Sequence, residues 1–183
     1  MGLFFSSTYN KWYKNRETKL LMNGLDMSGK TTILNTLKLK NYIKIDAHIG
    51  YNIEEIRHDG FSLYCWDVGG AEIKYPNWRK QYYQNVHGLI FVIDCSNIHR
   101  IDEACDILRD IFENEELGET ILLVFANKIN TEKSLSIDEL ENKLKLKFLS
   151  DHEYHIQEIN AINGDGLYEG LDWLGEQINK KFS

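Results

Sequence analysis

The chain has 183 residues, 43% hydrophobic and 27% charged, which suits one well-buried globular core and is short for two domains. Its formal charge of -7 argues against nucleic acid as a main partner. That charge is uneven, because residues 1–20 hold Lys11, Lys14, Arg16 and Lys19 against Glu17 alone, leaving the rest strongly acidic. No apolar run approaches the ~18 residues of a membrane span, and Leu3-Phe4-Phe5 is too short for the apolar core of a secretory signal. Cys65, Cys95 and Cys105, with no CxxC pair, fit buried thiols in a reducing, cytoplasmic setting.

The first element in chain order, residues 1–17, reads as an amphipathic helix. Phe5, Tyr9, Trp12 and Tyr13 share one face, with Ser7, Asn10, Lys11 and Lys14 opposite. The opening MGLFFS fits M-G-x-x-x-[ST], which makes Gly2 a myristoylation candidate. One myristoyl chain holds a membrane only marginally, so the aromatic face and the basic residues would supply a second signal. The competing reading is that the aromatic stripe packs on the core.

Residues 18–183 read as a single domain. Strands are expected at 19–24, 51–58, 61–67, 88–94, 120–127 and 153–160. The runs at 89–93 and 121–126 are apolar throughout, as in strands covered on both faces. Asp59-Gly60 is a two-residue hairpin turn between the second and third strands. Helices are expected from about Lys30 to Leu39 and from Ile137 to Leu144. Two more follow from the spacing of Ile101, Ala104, Cys105, Leu108, Ile111 and Phe112, and of Leu167, Leu171, Leu174 and Ile178. Strands alternating with helices imply an α/β fold in three layers. The sheet has six mostly parallel strands, with one antiparallel edge from the hairpin and helices on both faces.

The first strand runs into Gly24-Leu25-Asp26-Met27-Ser28-Gly29-Lys30-Thr31-Thr32 and then a helix. This is G-x-x-x-x-G-K-[ST] in the strand–loop–helix setting that the phosphate-binding loop requires. Glycines let backbone N–H groups ring the phosphates, and the helix aims its positive end at them. Lys30 would reach the terminal phosphates, and the Thr31 hydroxyl would ligate Mg²⁺. At the end of the third strand, Asp67 would serve as a second Mg²⁺ ligand, and the Gly70 N–H would face the γ-phosphate.

GLDMSGKTT, WDVGGAEIKYPNWR, NKIN and INGDGLYEGLDWL together resemble the ADP-ribosylation factor (Arf) family of small GTPases, nearly to the chain's end at about Ile178. The block WDVGG, with Trp66 before the aspartate, marks that family among small GTPases. The resemblance implies a GTP- or GDP-binding P-loop domain that uses Mg²⁺, meets effector and exchange-factor proteins, and associates reversibly with the Golgi or another endomembrane. It also implies that the N-terminal helix leaves its groove with GTP as the 51–67 hairpin slides. Tyr51 and Trp66 would then join an exposed aromatic effector surface, with Tyr82 or Tyr83 nearby. Buried hairpin packing is the equal alternative.

By the same resemblance, Asn127 would tie the base loop to the phosphate loop, Lys128 would lie along the guanine plane, and the Ala161 N–H would read the base carbonyl. Three positions depart from the family pattern. Asn130 replaces the aspartate that accepts from both guanine donors; losing one charge-assisted bond of about 1.5–3 kcal/mol weakens guanine and suits the extra carbonyl of xanthine. Ala71 replaces the glutamine that orients the attacking water, leaving no catalytic side chain there. His48 replaces a threonine that binds Mg²⁺, and a solvated loop histidine is the better reading, since Mg²⁺ prefers oxygen.

Two functions follow. The first is a membrane-associated switch in vesicle trafficking whose GTP hydrolysis is very slow or absent. The second is a non-cycling scaffold that uses the fold for protein contacts. A P-loop nucleoside kinase is a weaker third, because NKIN and WDVGG have no reason to occur in one.

Overall fold

The computed structural model describes residues 18–39, 53–58, 61–66, 83–113, 117–129, 134–149 and 152–182. The strands are β1 (Thr18–Asn23), β2 (Ile53–His58), β3 (Phe61–Trp66), β4 (Gly88–Asp94), β5 (Ile121–Asn127) and β6 (Tyr154–Ile159). The helices are α1 (Lys30–Leu39), α2 (Ile101–Phe112), α3 (Ile137–Leu144) and α4 (Leu167–Phe182), with short 3-10 turns at Ile98–Arg100 and Leu146–Leu149. The sheet runs in the order β2-β3-β1-β4-β5-β6. Among the described residues only the β2–β3 pair is antiparallel, with Ile53 opposite Trp66 and His58 opposite Phe61; the other pairs are parallel. The expected architecture is therefore the observed one.

Side-chain alternation along the strands builds the two apolar layers. Leu21, Leu89, Phe91, Ile93, Leu122 and Val124 pack on one side with Ile101, Leu108 and Ile111 of α2 and Leu140 and Leu144 of α3. Leu20, Met22, Ile90, Val92, Leu123 and Phe125 pack on the other with Ile33, Leu34 and Leu37 of α1 and Leu167, Leu171 and Leu174 of α4. Each of these large side chains contributes about 1.5–3 kcal/mol when fully buried, so the layers and not local propensity hold the helices in place.

Element ends differ from the sequence reading by a residue or two, for local reasons. β1 stops at Asn23, because Gly24 takes φ +145 and brings its Cα against the Val92 carbonyl; a Cβ there would lie 2.3 Å from that oxygen. β5 starts at Ile121, because the Thr120 N–H turns back to the Leu117 carbonyl at 3.0 Å and its hydroxyl donates to the Val86 carbonyl at 2.9 Å. α3 begins at a reciprocal cap, Ser136 with Glu139. Of the two tyrosines expected near the effector surface, Tyr83 is 1% exposed and belongs to the apolar layer with Val86 and Leu89, so that expectation rests on Tyr82, which lies outside the described residues.

Strand order decides where a ligand fits. From β1 the chain passes to β2 and β3 on one side, and from β4 it passes to β5 on the other. The crevice at the carboxyl ends of β1 and β4 is the switch point, where open α/β sheets receive ligands.

Candidate functional site

The loop Gly24–Gly29 leaves β1 at that crevice and enters α1. Gly24 and Gly29 take φ +145 and +111, in a region that side chains avoid. A Cβ on Gly29 would meet Asn127 Nδ2 at 2.3 Å, so the loop lies flat against the base loop only because that position is glycine. The first bond of α1 runs from the Ile33 N–H to the Gly29 carbonyl at 2.9 Å. A helix start of this kind directs its first-turn N–H groups, with the positive end of the dipole, at the mouth of the loop. Lys30 is 3% exposed, and its ammonium donates to the carbonyls of Gly24 (2.8 Å) and Leu25 (2.7 Å). The loop's own carbonyls thus hold a positive charge beneath it. Thr31 is exposed on the first turn of α1, and Thr32 is half-buried beside it.

A second loop comes from the end of β5. The Asn127 carboxamide donates through Nδ2 to the Ser28 carbonyl at 2.9 Å. Its Oδ1 accepts from the Lys128 N–H at 3.0 Å and the Ala161 N–H at 3.3 Å. One side chain therefore joins three segments. Lys128, at φ 62, donates its ammonium to Asp94 Oδ2 at 2.6 Å and to the Met27 carbonyl at 3.1 Å. Its stem runs from the base loop to the phosphate loop. Between them opens a cleft of about 230 Å³, lined by Met27, Gly29, Thr32, Lys128, Ala161 and Ile162 among others. A smaller cavity of about 80 Å³ lies behind the phosphate loop, next to Asp26, Asp94 and Arg100.

Charge at the site is paired. Asp26 meets Arg100 at 2.8 Å, and Arg100 also takes both oxygens of Glu103, at 2.7 and 3.0 Å. The Arg100 hydrogen bond holds Asp26 below the usual carboxylate range, and the two acids raise Arg100 further. Burial opposes ionisation of Asp94, but its bonds from Lys128 and Ser96 outweigh that cost and keep it below the usual range.

These are the groups a nucleotide needs. Glycines make the cradle that a Cβ would fill, a caged ammonium sits under it, and a tethered lysine stem and a backbone donor line the adjoining cleft. Among the described residues no cluster of three or more His, Cys, Asp or Glu could hold a metal. Mg²⁺ does not require one, since it is held through one or two protein oxygens and the substrate's phosphates.

The structure brings together Gly24 to Thr32 with Asn127, Lys128 and Ala161, all expected at one site. Gly2, His48, Asp67, Gly70, Ala71 and Asn130 lie outside the described residues, as do Tyr51, Tyr82 and the 59–60 turn. The sequence reading missed Asp94, Arg100 and Thr36, whose hydroxyl donates to the Ala161 carbonyl at 2.6 Å. Asp94 had a signal: like Asp67, it is an acid closing an apolar strand. Arg100 and Thr36 act across the fold and had none.

A caged lysine at the switch point, joined through Asn127 to a second loop, defines the class: a P-loop nucleotide-binding protein of the small-GTPase kind. Within that class, a model of the ADP-ribosylation factor family matches residues 5–178, and the chain belongs to that family. Its members are small GTPases that generally bind GTP or GDP with Mg²⁺, and they typically act in membrane trafficking. Among the described residues no helix is long and apolar enough to cross a membrane.

Proposed function

We propose that this protein is a guanine-nucleotide switch of vesicle trafficking, recruited to membranes, that holds GTP with Mg²⁺ and hydrolyses it very slowly. The observation that carries the nucleotide half is the Lys30 ammonium bonded to the Gly24 and Leu25 carbonyls, inside a loop bound to Asn127. Lys30 would serve the terminal phosphates, Thr31 and Asp67 would ligate Mg²⁺, and Gly70 would donate to the γ-phosphate. Bound Mg²⁺ would neutralise the phosphate charge that builds up as the terminal bond weakens. On the base side Lys128 would flank the ring, and the Ala161 N–H would turn from Asn127 Oδ1 toward the base carbonyl. Asn130 offers guanine one acceptor and one clashing donor, which narrows the preference for guanine over xanthine.

Slow hydrolysis is argued from Ala71, which has no group to orient water. Membrane recruitment is argued from Gly2 as a lipid site and from the aromatic and basic faces of residues 1–17. The same departures, Ala71, His48 and Asn130, favour a second reading, a scaffold that does not cycle. Nucleotide released from purified protein by denaturation and identified by chromatography separates the two. We expect GTP or GDP at close to one per chain, and nucleotide-free protein would favour the scaffold. Single-turnover hydrolysis should fall below the ~10⁻⁴ s⁻¹ scale of an unaided small GTPase. Ala71→Gln should raise it when an activating protein is present, and no gain would acquit the alanine.

A further inference from the structure

Exposed large hydrophobic side chains are few among the described residues, and two stand apart. Met27 is 83% exposed and Ile162 84%, against 39% for Ile98 and 37% for Tyr154. A single exposed apolar residue needs no explanation. These two line one cleft, Met27 from the phosphate loop and Ile162 from the loop after β6.

Both are held in place by the backbone. Met27 occupies left-handed backbone at φ 60, which glycine tolerates and a side chain strains. Its carbonyl is fixed by Lys128 Nζ at 3.1 Å. Ile162 rides on a turn organised by Asn160, whose Oδ1 accepts from the N–H groups of Ile162 (3.0 Å) and Asn163 (3.4 Å). The Asn160 N–H closes the same loop onto the Asp165 carbonyl at 2.9 Å, and Thr36 pins the Ala161 carbonyl at 2.6 Å. A greasy side chain fixed in water gains free energy only when something apolar covers it. The cleft identifies the cover: it adjoins the phosphate loop, the Lys128 stem spans it, and its volume of about 230 Å³ suits a flat heterocycle.

We propose that Met27 and Ile162 are apolar jaws that close on the nucleobase and ribose and retain a purine nucleotide by contact area. Thioether–ring attraction from Met27 adds to plain burial by Ile162. This rests on the nucleotide-binding reading above and deepens it, because contact area is blind to the groups on the base edge. The jaws slow release of guanine and xanthine nucleotides alike, whatever residue 130 prefers.

The test follows dissociation of radiolabelled GDP and xanthosine diphosphate from the full-length protein and from Met27→Ala, Ile162→Ser and the double variant. Each single change should speed release about three- to tenfold. The ratio of the two nucleotides' rates should stay within about twofold of the parent's. Tyr154→Ser, on the far edge strand, should leave both rates unchanged. Thermal midpoints measured without nucleotide should match the parent; a fall would assign the pair a structural role and overturn the proposal. So would unchanged release from variants of a protein that binds both nucleotides, which would leave the exposed pair to a protein partner. Faster release of one nucleotide alone would overturn the base-blind mechanism. Failure of the parent to bind either nucleotide would instead defeat the nucleotide-binding reading itself.

Discussion

Ser28 carries two opposed contributions. Its carbonyl accepts from Asn127 Nδ2 at 2.9 Å and so joins the phosphate loop to the base loop. The residue is 1% exposed, and its buried hydroxyl has no hydrogen-bond partner among the described residues. A buried, unsatisfied polar group costs about 1–3 kcal/mol, while the backbone contact does not depend on the side chain. Ser28→Ala is therefore expected to raise unfolding stability by about 1 kcal/mol, read as a higher urea midpoint at unchanged slope. A loss of stability would mean that the hydroxyl has a partner after all. Asn23 is the instructive contrast. Its Nδ2 also has no partner among the described residues, but its Oδ1 accepts from the Gly24 N–H at 2.6 Å, so an apolar replacement there would orphan the donor that begins the loop.

At the scale of elements, β4 and β5 end together, with Asp94 and Asn127 as register partners. The loops beyond them are joined by Lys128, which returns across β4 to Asp94. Because Asp94 titrates below its ordinary 3.8 in the folded protein, its ionisation stabilises the fold above that value. The contribution fades as pH falls through the lower folded pKa. Asp26 and Glu103, also shifted downward, act in the same direction. Denaturant midpoints taken from about pH 7 to about pH 2.5 should fall more steeply for the parent than for Asp94→Asn. Parallel curves would mean that the Lys128–Asp94 contact exists without adding stability, as many exposed ion pairs do.

At the scale of the molecule, the six strands and four helices of the described residues were legible because their signal is local. Uninterrupted apolar runs named β4 and β5, and helical spacing named α2 and α4. The phosphate loop was legible for a similar reason, since strand, glycines and helix start adjoin in sequence. What joins the two halves of the site was less so. Asn127 and Ser28 stand 99 residues apart along the chain, and their link was expected only from resemblance to Arf proteins. No spacing rule brings Arg100 to Asp26 or Thr36 to Ala161. Of the neighbours Tyr82 and Tyr83, the sequence could not say which faced the core, because an aromatic serves a core and a docking surface equally well; for Tyr83 the layer beneath the sheet decided it.

The burial of the three cysteines has one more consequence, for solution chemistry. Burial, reinforced by Asp94, pushes the Cys95 thiol up to about 12, and burial with Asp102 and Asp106 nearby raises Cys105. Neither is a thiolate near neutrality, and the thiolate is the form that reacts with alkylating agents. Labelling must wait for the structure to open locally, so its rate becomes a clock for breathing at each site. Cys105, 7% exposed beside the α2–α3 groove, should be modified before Cys95, which is 0% exposed. The Cys95 N–H is bonded to the Asn127 carbonyl at 2.9 Å, behind the base loop. Saturating GDP should therefore protect Cys95 far more than Cys105, as site-resolved mass spectrometry of pulse-alkylated protein would register. Equal protection would mean that both thiols are reached only when the whole domain unfolds at once.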